Sequence, residues 1–157
     1  MACTIDSLVH EAVASLEESA SVQQAAELMA ERNQGSLVVT REGQVIGLFT
    51  ERDLLRRVVG AGLQPGELTL GDVCTRDLVS ISHDSSCRTA VEKMHKNFCR
   101  RLLVYRGQRF VGLVSLTDVA HAMASKGGGR DIVLNTLGAI TLAVAIGVIA
   151  LMLFQLP

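Results

Sequence analysis

The order of apolar and polar positions in this chain repeats at a constant offset of 65 residues. Residues 13–55 align without a gap on residues 78–120, and eleven of the 43 aligned pairs are identical. Most of the remaining pairs exchange residues of similar character, as Ile46 and Val111 do. A repeat of this length indicates that one supersecondary unit occurs twice in the chain.

Each copy carries the same series of local patterns. The run at 13–16 predicts a short strand, and a helix follows, opened by Ser21 with Gln24 three residues later as in a capping box. The β-rich run at 36–40, a glycine-containing turn and a second apolar run predict a hairpin. A last helix is predicted over 51–59. The predicted order of each copy is therefore β-α-β-β-α.

The predicted fold is α/β, of the α+β kind, with two repeats in a pseudo-two-fold arrangement and one transmembrane helix after them. Pro65 and the glycines around it place the boundary between the repeats near residue 65. The chain is predicted to contain a first repeat, a second repeat, a glycine-rich hinge and a membrane anchor, over residues 4–65, 66–125, 126–131 and 132–157, respectively.

The C-terminal part of the chain differs from the rest in hydropathy. No charged residue occurs from Ile132 to Pro157. Roughly 20 apolar residues suffice to cross the hydrocarbon core as a helix, so this run predicts a single C-terminal span, with a buried core helix as the alternative. Lys126 and Arg130 precede the span, and the positive-inside tendency then predicts that the repeats lie at the cytoplasmic face of a membrane. The N-terminal residues show no signal-peptide pattern.

Charge and cysteine usage narrow the classes of partner. The net charge is −1, which gives no indication of nucleic-acid binding. Residues 1–65 carry nine acidic and five basic side chains, and residues 66–131 carry seven acidic and ten basic ones. The second half could attract the first or offer a basic surface to an anion. The cysteines are Cys3, Cys74, Cys87 and Cys99. Their spacing matches no metal site, which favours reduced thiols, and no metal is predicted.

A hydroxyl residue and an aspartate three positions later stand at the start of the last helix in each copy. They are Thr50 with Asp53, and Ser115 with Asp118. One interpretation is a capping box, in which the hydroxyl accepts from a backbone N–H and the carboxylate favours the positive end of the helix. The other is ligand binding, because a helix start suits phosphate and a carboxylate accepts from ribose hydroxyls. The residues alone leave both interpretations open.

Three segments carry a resemblance to a known family: GLFTERDLL, GLVSLTDVA and DVCTRDLVSIS. Together with the repeated β-α-β-β-α order, they resemble a tandem pair of cystathionine-β-synthase (CBS) domains, a Bateman module, over roughly residues 4–125. The resemblance implies a regulatory module that binds an adenosine-containing ligand, such as AMP, ADP, ATP, S-adenosylmethionine or NAD, in the cleft between the two copies.

The resemblance also implies which residues would touch that ligand. Those near phosphate and ribose are Thr50, Arg52, Asp53, Arg101, Ser115, Thr117 and Asp118. Those flanking adenine are Leu37, Val38, Ile81, Leu102 and Leu103. Where the family often has Arg-x-Leu-Pro-Val, the second copy has RRLLV, and the first copy has Gly35-Ser36 where the arginine would stand. This departure bears on phosphate contacts to the first copy.

The predicted function is therefore a membrane-tethered regulatory module that binds an adenine nucleotide and modulates a separate membrane protein, most simply as a homodimer. The alternative is a ligand-free scaffold for dimerisation and localisation, in which the motifs are only caps. An enzyme is not predicted, because no nucleophile–base pair, paired carboxylates or metal cluster can be assigned from the sequence. Nucleotide hydrolysis is the third, testable hypothesis.

Overall fold

The structure, a computed structural model, describes residues 3–126. The chain divides into two compact units, Met1–Val119 and Ala120–Pro157. The first unit holds both sheets, and the described residues of the second are those that complete the last helix. Everything below concerns the first unit unless stated.

The first repeat forms a mixed three-stranded sheet covered by a helix. Its elements are β1 (Ser15–Glu17), α1 (Val22–Glu31), β2 (Ser36–Arg41), β3 (Gln44–Thr50) and α2 (Glu51–Asp53), which continues as a π-helical segment (Leu54–Val59). The strand order is β1-β2-β3, with β1 parallel and β3 antiparallel to β2. The capping box predicted at Ser21 is present, with Gln24 N donating to Ser21 Oγ at 3.1 Å and Ser21 N to Gln24 Oε1 at 3.0 Å.

The second repeat forms the same sheet again. A short helix, α3 (Leu70–Val73), precedes β4 (Ser80–Ser82), α4 (Cys87–Lys96), β5 (Arg101–Arg106), β6 (Arg109–Ser115) and α5 (Leu116–Lys126). The order β4-β5-β6 matches that of the first sheet, and both hairpins carry a bulge at the same aligned position. The mixed α+β fold with two equivalent repeats is thus confirmed. The first strand of each repeat begins two residues later than predicted, and the central strands begin at the predicted residues.

The leading segment of each repeat, which precedes its first strand, packs against the other repeat. A 3-10 helical turn, Ile5–Leu8, lies against the second repeat, where Ile5 is fully buried among residues of α4, β5 and β6. Conversely, α3 lies against the first repeat, where Leu70 is fully buried. The sequence placed residues 4–10 with the first repeat because it contains no signal for this exchange. The two repeats therefore share backbone as well as side chains.

The core has three parts. One packs helix α1 against the first sheet, and a second packs α4 and α5 against the second sheet. The third lies between the sheets and consists of Val38, Leu48, Leu103 and Leu113, with flanking apolar residues from both repeats. Since strand residues alternate between faces, each central strand contributes to one helix-covered part and to the part between the sheets.

One prediction about the cysteines is wrong. Cys3 and Cys87 form a disulfide that joins the N-terminal segment to the first residue of α4, across 84 residues of sequence. Cys74 and Cys99 are free thiols, as predicted. Pairing between distant cysteines depends on tertiary approach, which spacing along the chain does not reveal.

The predicted location at the cytoplasmic face of a membrane, held by a C-terminal span, is also wrong. None of the helices within residues 3–126 is long and apolar enough to cross a membrane. The longest of them, α5, has 11 residues. It therefore rises about 16 Å, against a hydrocarbon core of about 30 Å. The segment for which the span was predicted, 132–157, lies outside the described residues, as does nearly all of the hinge at 126–131.

Candidate functional site

The two hydroxyl-x-x-Asp motifs form capping boxes, here called the first box (Thr50–Asp53) and the second box (Ser115–Asp118). In the first, Asp53 N donates to Thr50 Oγ1 at 3.2 Å, and Thr50 N donates to Asp53 Oδ2 at 3.0 Å. In the second, the corresponding distances are 3.2 Å and 3.0 Å. The local geometry of the two boxes is therefore the same, and the helix-capping interpretation is confirmed for both.

A third motif of the same type caps helix α3. Thr69 N donates to Asp72 Oδ2 at 2.9 Å, and the Thr69 hydroxyl donates to the same oxygen at 2.6 Å. Asp72 is exposed, and hydrogen bonds from Thr69 hold the pKa of its carboxyl below the ordinary value. The chain thus contains a box whose only described role is to start a helix.

The remaining oxygen of the aspartate distinguishes the first box from the second. In the first box, Asp53 Oδ1 lies 3.3 Å from Thr75 Oγ1 and 3.5 Å from Arg57 Nε. Arg57 also donates from Nη1 to the Val73 carbonyl at 2.8 Å. The Asp53 side chain is only 12% exposed. Both oxygens of this carboxylate are therefore occupied by the protein itself.

In the second box, all of the described contacts fall on one oxygen. Asp118 Oδ2 accepts from the backbone N–H and hydroxyl of Ser115, and it lies 3.1 Å from His10 Nε2. Among residues 3–126 no partner is found for Oδ1, and the Asp118 side chain is 29% exposed. His10 occupies the position that corresponds to Thr75 at the repeat offset. The second box therefore presents a more exposed carboxylate than the first, with one oxygen that has no partner among the described residues.

The charge of Asp118 is maintained by its neighbours. Partial burial raises the pKa of this carboxyl, but hydrogen bonds from Ser115 and His10 outweigh the effect and place the pKa below the ordinary value for aspartic acid. Asp118 is consequently ionised at neutral pH and can act only as an acceptor. A carboxylate of this kind suits a donor pair such as the hydroxyls of a ribose.

A cavity of about 380 Å³ opens beside the second box, within the range of small-molecule sites. Residues before β1 supply His10 and Val13, the end of α1 supplies Arg32, and the second repeat supplies Arg101 and Asp118. Both repeats therefore form its walls. The cavity combines two arginines with one carboxylate and one apolar wall, which suits a ligand that has a phosphate, hydroxyl groups and a flat apolar base.

Arg101 fits in this cavity because the residue opposite it, Gly35, has no side chain. A Cβ built on Gly35 would come within 2.8 Å of Arg101 Nη2 and 3.0 Å of Glu51 Oε2. Burial lowers the pKa of Arg101, while the nearby Glu51 carboxylate opposes that shift. Gly35, which stands where the family often has an arginine, therefore makes room for the arginine of the other repeat.

A larger concave surface, of about 670 Å³, lies between β1 and α1 of the first repeat. Its rim carries Glu17, Glu27 and Glu31 around Leu16 and Leu28. Three carboxylates would repel a phosphate, and no basic side chain lines this surface. The smaller cavity beside the second box is therefore the better candidate for an anionic ligand.

The structure brings three of the predicted site residues together at the cavity, namely Arg101, Ser115 and Asp118. Thr50 and Asp53 meet in the first box, whereas Arg52 and Thr117 are exposed and do not line the cavity. Of the predicted arginines, the cavity is therefore lined by Arg101 and not by Arg52.

Predicted adenine contacts divide between two environments. Leu37, Ile81 and Leu102 are buried in the helix-covered cores, so the structure does not bring them to the cavity. Val38 and Leu103 lie between the sheets, on the opposite face of the same strands. These strands are apolar on both faces, and hydropathy alone could not identify the face toward the cleft.

The glycines before the boxes serve the packing of the chain on itself. A Cβ on Gly112 would lie 2.2 Å from the His10 carbonyl oxygen, and one on Gly47 would lie 2.6 Å from Cys74 Sγ. The exchanged segments cross at these glycines, with His10 N donating to Leu113 O at 2.9 Å.

Sequence reasoning missed His10, Val13 and Arg32 as wall residues. A signal for the difference between the boxes does exist in the sequence. Arg57 follows Asp53 by four positions, and Ala122 follows Asp118 by four. Only the first aspartate therefore has an arginine one helical turn later.

Comparison with known protein families identifies the class of protein to which this fold and these two boxes belong. The model of the CBS domain matches residues 5–60 and 70–125. The chain belongs to the CBS-domain family and contains a tandem pair of CBS domains, which are generally regulatory.

Similar proteins come from distant organisms. CBS domain-containing protein YhcV of Bacillus subtilis is 30% identical over 118 residues, which are 74% of this chain and 84% of that protein. The mitochondrial CBS domain-containing protein CBSX3 of Arabidopsis thaliana is 29% identical over 77% of this chain, which spans only 55% of the Arabidopsis protein. A crystal structure of an uncharacterized conserved protein from Pyrococcus horikoshii has a TM-score of 0.73 and 30% identity, covering 80% of this chain and 94% of that one.

Proposed function

We propose that this chain binds one adenine nucleotide, of the AMP, ADP or ATP type, in the cavity beside the second box, and that occupancy regulates a separate partner protein. The observation that carries the proposal is that Asp118, whose Oδ1 has no partner within residues 3–126, and Arg101 line the same cavity of about 380 Å³. CBS domains generally bind adenosine-containing ligands, which supports the ligand class.

Each part of such a ligand has a matching group. The ribose hydroxyls donate to Asp118 Oδ1, while Ser115 and His10 keep Oδ2 in place. Arg101 and Arg32 neutralise the phosphate, and a guanidinium can do so through two parallel hydrogen bonds. Val13 and Leu113 offer apolar surface to the base.

Regulation follows from the composition of the walls. Because the cavity is lined by both repeats, a ligand that fits one relative orientation better than another shifts the population toward it. A homodimer would pass this shift to a partner through a surface formed by both copies. The partner protein and the dimer are part of the proposal.

The test is a calorimetric titration of the full chain with AMP, ADP, ATP and S-adenosylmethionine. We expect one molecule of nucleotide per chain. Asp118→Asn removes the charged acceptor and should weaken binding at least tenfold, since a hydrogen bond to a charged group contributes about 1.5–3 kcal/mol. Asp53→Asn, in the occupied first box, should leave the dissociation constant within about twofold of the wild-type value, well under the ~1.4 kcal/mol of a tenfold change.

Asp72→Asn is the matched control, because it changes a box of the same type that caps helix α3 and does not line the cavity. Urea unfolding of the three variants separates loss of a cap from loss of a ligand contact. Equal affinity in Asp118→Asn and the wild type would refute the assignment of the site. If millimolar nucleotide produces no heat in any variant, the ligand-free scaffold is the correct function, and intact ATP after incubation excludes hydrolysis.

A further inference from the structure

We propose that the Cys3–Cys87 disulfide is a reversible tether that sets nucleotide affinity by holding an N-terminal strap, residues 3–10, on the second repeat. The ligand in this inference rests on the proposed function above. The tether itself rests on independent contacts of the strap. Reduction would release the strap and open one wall of the cavity.

The strap reaches the cavity at its C-terminal end. His10 Nε2 lies 3.1 Å from Asp118 Oδ2, and His10 lines the cavity together with Val13, which follows the strap. The His10 backbone is fixed by paired hydrogen bonds with Leu113, of 2.9 Å and 3.2 Å. A docked strap therefore holds Asp118 in the orientation that presents Oδ1, and it completes the apolar wall.

At its N-terminal end the strap is fixed covalently and by burial. Cys87 N donates to the Cys3 carbonyl at 2.9 Å, alongside the disulfide between the two side chains. Ile5 is fully buried and its N–H donates to the Ser85 carbonyl at 3.0 Å. Asp6, at the surface, accepts from Arg106 Nη2 at 2.9 Å.

These non-covalent contacts are individually modest. Burial of one isoleucine side chain stabilises the docked strap only moderately, and an exposed ion pair is weakened by solvent screening. The disulfide closes the strap onto the second repeat across 84 residues of sequence, which removes many open conformations. Without it, the docked population of the strap depends on the weaker contacts alone.

The first repeat shows that this tether is specific to the strap. At the repeat offset, Cys3 corresponds to Leu68 and Cys87 to Val22. The backbone contact is the same, with Val22 N donating to the Leu68 carbonyl at 2.9 Å. An apolar pair therefore stands where the second repeat has a bond that thiol chemistry can open.

The two sulfurs differ in access, which defines the direction of the exchange. Cys3 is partly exposed, whereas Cys87 is 1% exposed and is the first residue of the ten-residue helix α4. A thiolate of a dithiol reductant attacks Cys3 Sγ, the S–S bond breaks, and the Cys87 thiolate leaves. Backbone N–H groups at the start of α4 stabilise that thiolate. The second thiol of the reductant then displaces Cys3, which leaves two protein thiols and one intramolecular disulfide in the reductant.

The experiment uses the full chain in its oxidised form and after reduction with dithiothreitol. Thiol labelling of the oxidised, unfolded chain should modify two cysteines, Cys74 and Cys99, and reduction should make all four reactive. AMP titration should give a dissociation constant at least fivefold weaker after reduction. Hydrogen exchange at the Ile5, His10 and Cys87 amides should accelerate in the reduced chain, because these N–H groups hold the strap.

Cys3→Ser and Cys99→Ser serve as the variant and its matched control. Cys3→Ser should bind AMP with the weaker constant under both conditions, and Cys99→Ser should keep the full response to reduction. The proposal is wrong if four thiols react before reduction, or if AMP binds the oxidised and reduced wild-type chains equally. If AMP binds in neither state, the proposed function fails. Hydrogen exchange then decides the tether: unchanged exchange overturns it, and faster exchange on reduction supports it.

Discussion

The first and second boxes each pair a hydroxyl residue with an aspartate in the same hydrogen-bond pattern, yet only one leaves an aspartate oxygen without a partner among the described residues. Thr75 and Arg57 take the second oxygen of Asp53, and that side chain is 12% exposed. The second oxygen of Asp118 has no partner within residues 3–126, and its side chain is 29% exposed. The difference arises outside the motif, in the segment and the helical turn packed against it.

This comparison shows how one local structure supports two roles. A capping box needs one carboxylate oxygen, and the other is left to the surroundings. Where an arginine contacts the second oxygen, the box connects α2 to the segment before β4. Where the second oxygen has no partner and lies beside a cavity, the same box is available to bind a ligand. Motif matching alone does not separate these cases.

The largest difference in stability between the two repeats is expected at the glycines that precede the boxes. Gly112 has a φ of +154°, and an added Cβ would lie 2.2 Å from a backbone oxygen, that of His10. Gly112→Ala should therefore lower the free energy of unfolding by about 3 kcal/mol, through overpacking and backbone strain. Urea unfolding monitored by circular dichroism measures this loss.

Gly47→Ala is the matched substitution in the first repeat, where the added Cβ would meet a side-chain sulfur, that of Cys74, at 2.6 Å. A side chain yields more readily than backbone, so a loss of about 1–2 kcal/mol is expected. If the two alanine variants lose equal stability, the crossing of the strap at Gly112 is not the tighter of the two.

An intermediate effect is expected at Arg57, which ties Asp53 to the segment before β4. Arg57→Ala removes the contact with Asp53 and the hydrogen bond to Val73, and should destabilise the fold by about 1–2 kcal/mol. The exposed neighbour Arg56 provides the control, since Arg56→Ala should change stability by less than about 0.5 kcal/mol. Urea unfolding compares the two.

The same Arg57→Ala protein also tests what closes the first box to nucleotide. With Thr75 still 3.3 Å from Asp53, one AMP per chain is expected in calorimetry. A stoichiometry that rises toward two would show instead that the arginine alone separates the boxes.

The smallest effect concerns pH. The folded-state pKa of Asp118 is lowered, so the stability that its ionised form contributes is present above the unfolded-state pKa, near 3.9, and is lost as the pH falls through the folded value. The difference in unfolding free energy between the wild type and Asp118→Asn should shrink as the pH falls below about 4, by less than about 1 kcal/mol. A difference that grows below about pH 4 would contradict the lowered pKa.

Much of the fold was predictable because each element occurs twice in the sequence, so that the patterns of the two copies could be compared. The box geometry at Thr50 and Ser115 followed from helix-capping chemistry, and the hairpins followed from glycine turns between apolar runs. The faces of the central strands were not predictable. Leu37 and Val38 are adjacent and both apolar, and only the second sheet, packed against one side, makes their environments different.

The identity of the open box was predictable only in part. Arg57 and Ala122 lie beyond the window in which the two copies align, so the alignment directs attention away from them. His10 could not be assigned at all, because its approach to Asp118 depends on the exchange of leading segments between repeats. Long-range crossings leave no local periodicity in the sequence.

The exchange of leading segments also fixes an order of events during folding. Residues 3–10 are synthesised before any of the second repeat, yet their partners Leu113 and Asp118 come more than a hundred residues later. Contacts of this separation form late and slow the folding of a domain. The first repeat acquires its own leading segment, α3, from sequence that follows it directly. The first repeat can therefore complete its core soon after α3 is synthesised. Residues 3–10, in contrast, stay without their partners until the second repeat has been synthesised.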